Sequence, residues 1–200
     1  SLAGIPLAFD AGTVFFPIAY IFGDILTEVY GFARARRVIW IGFIGLIFTF
    51  LMFLLIQKLP GEATWQANVG QEAYDLVLGG ISSGGIVAAS VLGYLGGSFS
   101  NAIIMALLKH ITHGQQLWVR TISSTIVGEL VDTAIFIAVA SLTGVFPWGL
   151  YLTLTLTNYL FKVAIEVLMT PVTYWITNKL KKEENLDAYS DLKDLTPLSF

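Results

Sequence analysis

Long apolar segments alternate with shorter polar segments along most of the chain. Five of the apolar segments are about long enough to cross ~30 Å of hydrocarbon as a helix, and they cover approximately residues 12–30, 38–56, 75–108, 121–141 and 148–178. The third is longer than a bilayer needs, so we expect its helix to tilt, to protrude or to break near Gly96 and Gly97. Residues 57–74 are polar and are expected to form an exposed loop. The pattern predicts an all-α polytopic membrane bundle, with a single transmembrane helical domain at residues 1–182 and a polar, soluble tail at residues 183–200.

The composition supports an integral membrane protein. Hydrophobic residues make up 56% of the chain and charged residues only 12%, whereas soluble domains carry roughly 25% charged residues. The chain has no cysteine, which excludes disulfides, thiolate metal ligands and a cysteine nucleophile. It offers no basic platform for nucleic acid. The expected environment is therefore a lipid bilayer.

Lysine and arginine are concentrated in every second connection between the predicted spans. They are Arg34, Arg36 and Arg37 after the first span, Lys109 and Arg120 after the third, and Lys179, Lys181 and Lys182 after the fifth. Cytoplasmic loops of membrane proteins are enriched in these residue types, so we expect these connections and the C-terminus to face the cytoplasm from the cell's inner or plasma membrane. Ser1 would then lie outside, and one further helix before it would give six spans in the full protein.

Small residues form two rows along the third predicted span. One row holds Gly80, Gly84 and Ala88, and the neighbouring row holds Gly85, Ala89, Gly93 and Gly97. Such rows allow another backbone to approach closely. Either a helix of the same bundle or a partner subunit is expected to pack there.

Seven polar residues inside the predicted spans are the candidate substrate-binding residues. They are Asp24, Glu28, Glu129, Asp132, Asn158, Lys162 and Glu166. A charged side chain at the bilayer centre costs at least ~2.5–3.5 kcal/mol on insertion scales, so these residues are expected to converge away from lipid. The helical period places polar rows on one face of the fourth span and one face of the fifth. We expect both faces to point into the bundle.

The sequence leaves two interpretations of these charges open. In one, Lys162 pairs with an acid of its own or the preceding span and only fixes the register of the helices, while Glu28 is held by Arg34 or Arg37. In the other, surplus carboxyl groups bind protons or a ligand rich in hydrogen-bond donors, because the acids outnumber the one buried lysine. The excess of acids favours a binding site.

No motif for catalysis, for a cofactor or for a metal is present. The chain lacks the HExxH, GxSxG, Walker and Rossmann patterns. His110 and His113 share a helical face but have no carboxylate partner, so we expect no metal site. Paired acids of the first or fourth span could in principle catalyse hydrolysis, yet without a nucleophile motif the chain is expected not to be an enzyme. A purely structural role would leave the cost of the buried charges unexplained.

Three stretches of the chain resemble one family of membrane proteins. They are Gly-Asp-Ile-Leu-Thr-Glu-Val-Tyr-Gly at 23–31 followed by Ala-Arg-Arg at 35–37, the segment 120–136 with Gly-Glu-Leu-Val-Asp-Thr-Ala at 128–134, and Asn-Tyr-Leu-Phe-Lys-Val at 158–163 leading to Pro171. Through these stretches the chain is similar, from Phe9 to Lys182, to the VUT family of bacterial and archaeal membrane proteins, known as queuosine-precursor transporters. Ionisable residues in apolar helices rarely recur by chance at such spacing.

The resemblance implies about six spans and a fold similar to the substrate-binding subunits of energy-coupling-factor vitamin transporters. It also implies import of 7-deazaguanine bases, such as 7-cyano-7-deazaguanine, for queuosine biosynthesis in tRNA. The ring of such a base has adjacent N–H donors that one carboxylate can accept. We expect Glu129 or Asp132 to read that edge, and Asn158 and Lys162 to address the carbonyl and ring acceptors. The acids of the first and fifth spans would tune the charge or carry a proton.

One alternative is a substrate-binding subunit for a vitamin-like heterocycle that requires an ATP-driven energy-coupling partner. The chain has no ATP site of its own, and the small-residue rows of the third span would be the docking surface. The expected partners are thus a small-molecule substrate, the lipid bilayer, and either an energy-coupling partner or a second copy of the chain.

Overall fold

A computed structural model of the chain describes residues 16–199, apart from the side chains at 16–17 and 80–82. Its α-helices are α1 (Phe16–Tyr30), α2 (Phe32–Lys58), α3 (Ala63–Asn68), α4 (Gln71–Ser82), α5 (Gly84–Ile111), α6 (Leu117–Leu142) and α7 (Tyr151–Glu184). Two single-turn 3₁₀ helices lie at Trp148–Leu150 and Leu192–Asp194. The described range contains no strand, which confirms the all-α prediction.

Four helical segments between residues 16 and 199 are long and apolar enough to cross a membrane. They are Phe32–Lys58, Gln71–Ile111, Leu117–Leu142 and Trp148–Glu184. The first predicted span begins at residue 12, and its residues 12–15 lie outside the described residues. The predictions for Ser1 and for a helix before it also fall outside them. Helix α1 is the described part of that span. The molecule is therefore a polytopic membrane bundle, as predicted.

Helices α5 and α6 form the closest packed pair of the bundle, and small residues make this possible. A methyl group at Gly97 would lie 3.0 Å from the carbonyl oxygen of Gly128, and one at Gly128 would lie 3.1 Å from the carbonyl oxygen of Gly97. The row through Gly93 and Gly97 thus packs inside the bundle, against α6. Helix α7 packs against α6 and α1, and α2 lies against α5 and α1.

The predicted break in the third span is at a different position. Helix α5 runs without interruption through Gly96 and Gly97, because α6 covers its backbone there. The break lies at Ser83, whose backbone is extended and whose hydroxyl accepts a hydrogen bond from the N–H of Ile86 (3.3 Å). Ser83 therefore ends α4 and caps α5.

Two predicted loops are largely helical. Only Gly31, with φ of 82°, separates α1 from α2, so the arginines that follow it lie in the first turns of α2 rather than in a loop. The expected loop at 57–74 contains α3 and the start of α4. The carboxylate of Glu62 accepts hydrogen bonds from two backbone N–H groups of α3, at 2.8 and 2.9 Å, and so starts that helix.

The tail lies against the bundle instead of extending away from it as a soluble segment. We call the end of the bundle where α1, α5 and α7 finish the basic end. There the N–H of Ala188 donates to the carbonyl oxygen of Val29 (3.1 Å), and the N–H of Phe32 donates to Oγ of Ser190 (2.8 Å). Further along, Nε1 of Trp40 donates to a tail carbonyl oxygen at 2.9 Å. These contacts tie the tail to α1 and α2.

Candidate functional site

A polar cluster lies in the middle of the bundle, and four helices contribute to it. We call it the central cluster; its members are Asp24 of α1, Asn101 of α5, Glu129 and Asp132 of α6, and Lys162 and Glu166 of α7. Each is at most 6% exposed. The polar rows on α6 and α7 are buried throughout, as predicted. The fold therefore brings together five of the seven candidate residues and adds Asn101.

Lys162 is shared by two acids of the central cluster. Its Nζ atom lies 2.6 Å from Oδ2 of Asp132 and 3.0 Å from Oε2 of Glu129. It also donates to the hydroxyl of Thr133 at 3.4 Å. One ammonium group thus offsets two carboxyl groups and joins α6 to α7. The predicted pairing of this lysine is confirmed for the acids of α6.

The other two acids of the central cluster form no ion pair with a cation of the described residues. Oδ1 of Asp24 accepts a hydrogen bond from Nδ2 of Asn101 (2.7 Å), and the charges of Asp24 and Glu166 act on each other. Within residues 16–199, no hydrogen-bond partner is found for Oδ2 of Asp24, for Oδ1 of Asn101 or for either carboxyl oxygen of Glu166. Every one of these atoms is an acceptor. A buried acceptor without a donor costs about 1–3 kcal/mol. This region is therefore suited to a ligand that donates hydrogen bonds, or to bound protons.

A cavity of about 510 Å³ opens between α1, α2 and α5 and reaches the central cluster. This volume falls in the range of about 300–1,000 Å³ that is common for small-molecule sites. Most of its lining is apolar, and its polar groups include those of Tyr20, Tyr94, Asn101 and Asp132. The cavity therefore combines apolar walls, aromatic rings and a few polar groups, as ligand sites do.

Two candidate residues have other surroundings. Asn158 is buried one turn before Lys162 on α7, and its Nδ2 donates to the carbonyl oxygen of Leu154 at 2.8 Å. Glu28 lies in a different cluster. Conversely, sequence reasoning missed Asn101 and Tyr20 as lining residues. The amide side chain of Asn101 within an apolar stretch of α5 could have indicated a buried polar site. A tyrosine in α1 gives no such indication.

Glu28 belongs to what we call the basic-end cluster, whose members are Glu28, Lys109, Arg120, Lys181 and Asp187. Oε1 of Glu28 lies 2.7 Å from Nη2 of Arg120 and 2.6 Å from Nζ of Lys181, and Oε2 accepts from Nε of Arg120 at 3.1 Å. Lys109 donates to the backbone oxygen of Glu28 at 2.6 Å. The prediction that Arg34 or Arg37 holds Glu28 is wrong, because Glu28 of α1 contacts three cations that are distant in sequence.

The tail completes the basic-end cluster. Asp187 pairs with Lys109 and, at 2.9 Å, with Lys181. Burial alone would raise the pKa of Asp187, but hydrogen bonds and charges from the two lysines outweigh it and hold this pKa below its usual value. Arg36 likewise binds Asp194 of the tail at 3.4 Å. Lys109, Lys181 and Arg36 therefore form ion pairs with acids of the same chain.

The described residues contain no group of three or more His, Cys, Asp or Glu side chains arranged to hold a metal ion. Nε2 of His110 lies 2.6 Å from the carbonyl oxygen of Ser190, so this histidine contacts the tail.

Comparisons with known proteins identify the family. Its sequence profile, described as "Putative vitamin uptake transporter", matches residues 10–176. A "Probable queuosine precursor transporter" of Bacillus subtilis is 29% identical over 175 residues, which cover 86% of this chain and 71% of that protein. A protein of the same description from Haemophilus influenzae is 24% identical over 167 residues, which cover 82% of this chain and 66% of that protein. No solved structure matches the chain significantly.

The profile covers most of the chain, and the relatives are named as transporters, not as enzymes. The structure adds apolar helices that enclose a polar cluster and a cavity. The chain accordingly belongs to the family described as "Putative vitamin uptake transporter" and is an integral membrane transport protein.

Proposed function

We propose that this protein imports a queuosine precursor of the 7-deazaguanine class across the cell's inner or plasma membrane. The basic end and the C-terminus face the cytoplasm, in agreement with the enrichment of cytoplasmic loops in lysine and arginine. The names of both relatives support the substrate class.

The observation that carries this proposal is the set of buried acceptors without donors beside a cavity. A guanine-type edge presents adjacent N–H groups, which are the donors that Oδ2 of Asp24 and Oδ1 of Asn101 lack among the described residues. Asp132 lines the cavity and, with Glu129 behind it, accepts from that edge. Charge-assisted hydrogen bonds of this kind are short and strong.

The rest of the central cluster fixes the geometry of this contact. Lys162 holds both acids of α6 in place. We assign the carbonyl and ring acceptors of the base to this lysine rather than to Asn158, whose amide donates to the carbonyl oxygen of Leu154. Tyr20 and Tyr94 provide flat walls for the ring. A ligand with the same shape but no donor edge would leave the carboxylates unsatisfied, which is how buried polar groups produce selectivity.

The test is the queuosine content of tRNA in a host that cannot make the precursor and that is fed nanomolar 7-cyano-7-deazaguanine. The full-length protein should restore queuosine, and Glu129→Gln should abolish this rescue because an amide removes the carboxylate charge. Glu183→Gln is the matched control, since Glu183 is an exposed acid of the same helix bundle.

Equal amounts of folded protein in the membrane must be verified for both variants. Full rescue by Glu129→Gln would refute the assigned contact. No rescue by the folded wild-type protein would refute the substrate class, unless rescue returns when an ATP-driven energy-coupling partner is supplied. Of the expected dock, Gly93 and Gly97 pack against α6, whereas no described atom of another helix lies within 4 Å of a methyl group at Gly84, so the row through Gly84 is the part that stays accessible to such a partner.

A further inference from the structure

We propose that Glu166 is a proton-binding site and that its proton couples uptake of the base to the proton gradient. This inference rests on the proposed function and extends it to the driving force.

The surroundings of Glu166 provide the first argument. Its side chain is 1% exposed, and neither carboxyl oxygen has a hydrogen-bond partner in the part of the chain that the structure describes. An ionised carboxylate without a donor or a cation is too costly in such an interior, and a group in this situation binds a proton instead. Protonation removes the charge of this carboxylate and requires no cavity beside it.

The charges around Glu166 provide the second argument. The negative charges that act on it belong to Asp24 of α1 and Glu129 of α6, and Asp132 of α6 shares a cation with Glu129. Two further ionisable groups of α1 are near these acids: the phenol of Tyr20 and the carboxylate of Glu28, whose charge acts on Asp24. Acidic neighbours on two helices oppose a further negative charge at Glu166.

The nearby cation is already shared by two other acids. Lys162 lies one turn earlier on α7, and its ammonium group contacts Asp132 and Glu129. From α5 the cluster receives Asn101, which does not titrate and which donates to Asp24. Four carboxyl groups thus share one ammonium group, and the surplus is offset most simply by bound protons.

The position of Glu166 behind the cavity links this proton to the substrate. Asn101 and Asp132 line the cavity, whereas Glu166 does not. Asn101 donates a hydrogen bond to Asp24, and Asp132 is linked to Glu129 through the ammonium group of Lys162. Each lining residue is thus connected, directly or through this lysine, to an acid whose charge acts on Glu166. Base binding and proton binding must then alter each other's free energy by equal amounts. The proton binds to the carboxylate on one side and leaves it on the other, and no bond of the base changes.

The test uses the purified full-length protein in liposomes with radiolabelled 7-cyano-7-deazaguanine. Three assays are compared: accumulation driven by a lower external pH, accumulation driven by an inward sodium gradient at equal pH, and exchange of external for internal base without a gradient. The wild-type protein and Glu183→Gln should accumulate the base with the proton gradient. Glu166→Gln should lose accumulation while exchange continues.

Accumulation by Glu166→Gln equal to that of the wild type would overturn the proposal, and so would accumulation by the wild type with sodium but not with protons. A wild-type protein that neither accumulates nor exchanges the base would instead refute the proposed function.

Infrared difference spectra of the purified protein test the proton site without any substrate, so they remain decisive in that case. At neutral pH the carbonyl stretch of a protonated carboxyl group should be present in the wild type and Glu183→Gln and reduced in Glu166→Gln. An unchanged band would overturn the proposal.

Discussion

The central cluster and the basic-end cluster both combine acidic and basic side chains, but in opposite proportions. The basic-end cluster holds three cations and two acids, and none of its buried polar side-chain atoms lacks a hydrogen-bond partner among the described residues. The central cluster holds four acids and one cation, and several of its acceptors have no donor among the same residues. Charges that the protein neutralises itself serve the fold, whereas charges left incomplete are available to a ligand.

The two clusters also differ in what they join. The basic-end cluster connects α1, α5, α6, α7 and the tail around the carboxylate of Glu28. The central cluster lies beside a cavity, so its polar groups can exchange partners. Substitutions should therefore affect stability most at the basic end and transport most at the centre.

Glu28→Gln should cause the largest loss of stability. It leaves Arg120, Lys109 and Lys181 without their shared carboxylate, and Arg120 cannot lose a proton to relieve the charge. Removing one partner of a buried ion pair costs about 3–5 kcal/mol. Thermal unfolding of purified protein measures the effect, with Glu183→Gln as the control. An unchanged unfolding midpoint for Glu28→Gln would show that this cluster does not stabilise the fold.

Lys162→Met should abolish uptake at a smaller cost in stability, about 1–3 kcal/mol. Its partners Glu129 and Asp132 lose their cation, but each can bind a proton in its place. Unfolding and queuosine rescue are measured on the same preparations. The comparison between the clusters would fail if Lys162→Met destabilised the protein more than Glu28→Gln does, or if it transported normally.

Asp187→Asn should have a small, pH-dependent effect on attachment of the tail, less than about 1 kcal/mol because the carboxylate is half exposed. The pKa of Asp187 is lowered in the folded state, so its contribution is present above the unfolded value of about 3.9 and is lost as the pH falls through the folded value. The protection factor of the Ala188 N–H against hydrogen exchange, which corrects for the pH dependence of intrinsic exchange, should fall in the wild type as the pH falls through this range. In Asp187→Asn this step should be absent; an identical pH profile would contradict the role of Asp187.

Lys179→Ala should have the smallest effect, with no measurable change in stability or uptake. Its ammonium group lies 3.9 Å from the carboxylate of Glu183, and both side chains are more than half exposed. Exposed ion pairs of this kind contribute little. A clear loss of stability would show that charged side chains outside the two clusters also contribute to the free energy of unfolding, which the account does not predict.

The helical content and the polar rows could be predicted because they depend on local periodicity. The rows through Glu129 and Lys162 follow from residues three and four apart, which share a helix face whatever the tertiary structure. The close approach at Gly97 was predicted for the same reason, although the sequence left its partner open.

The partners of Glu28 and the position of the tail could not be predicted, because both depend on long-range contacts. Glu28 meets Lys181 across 153 positions in the chain, and nothing near Glu28 indicates this pairing. Arg34 and Arg37 are close in sequence, but the turn at Gly31 starts α2 at once and leaves both exposed. Helix geometry therefore decides which charges meet, and nearness in sequence does not.

Equilibrium binding of 7-cyano-7-deazaguanine to the purified protein tests the central claim most directly. The wild type should show saturable binding, Asp132→Asn should lose it, and Asp75→Asn, which changes an exposed aspartate in the same way, should retain it. Absence of saturable binding by the folded wild type, or equal binding by Asp132→Asn, would contradict the account.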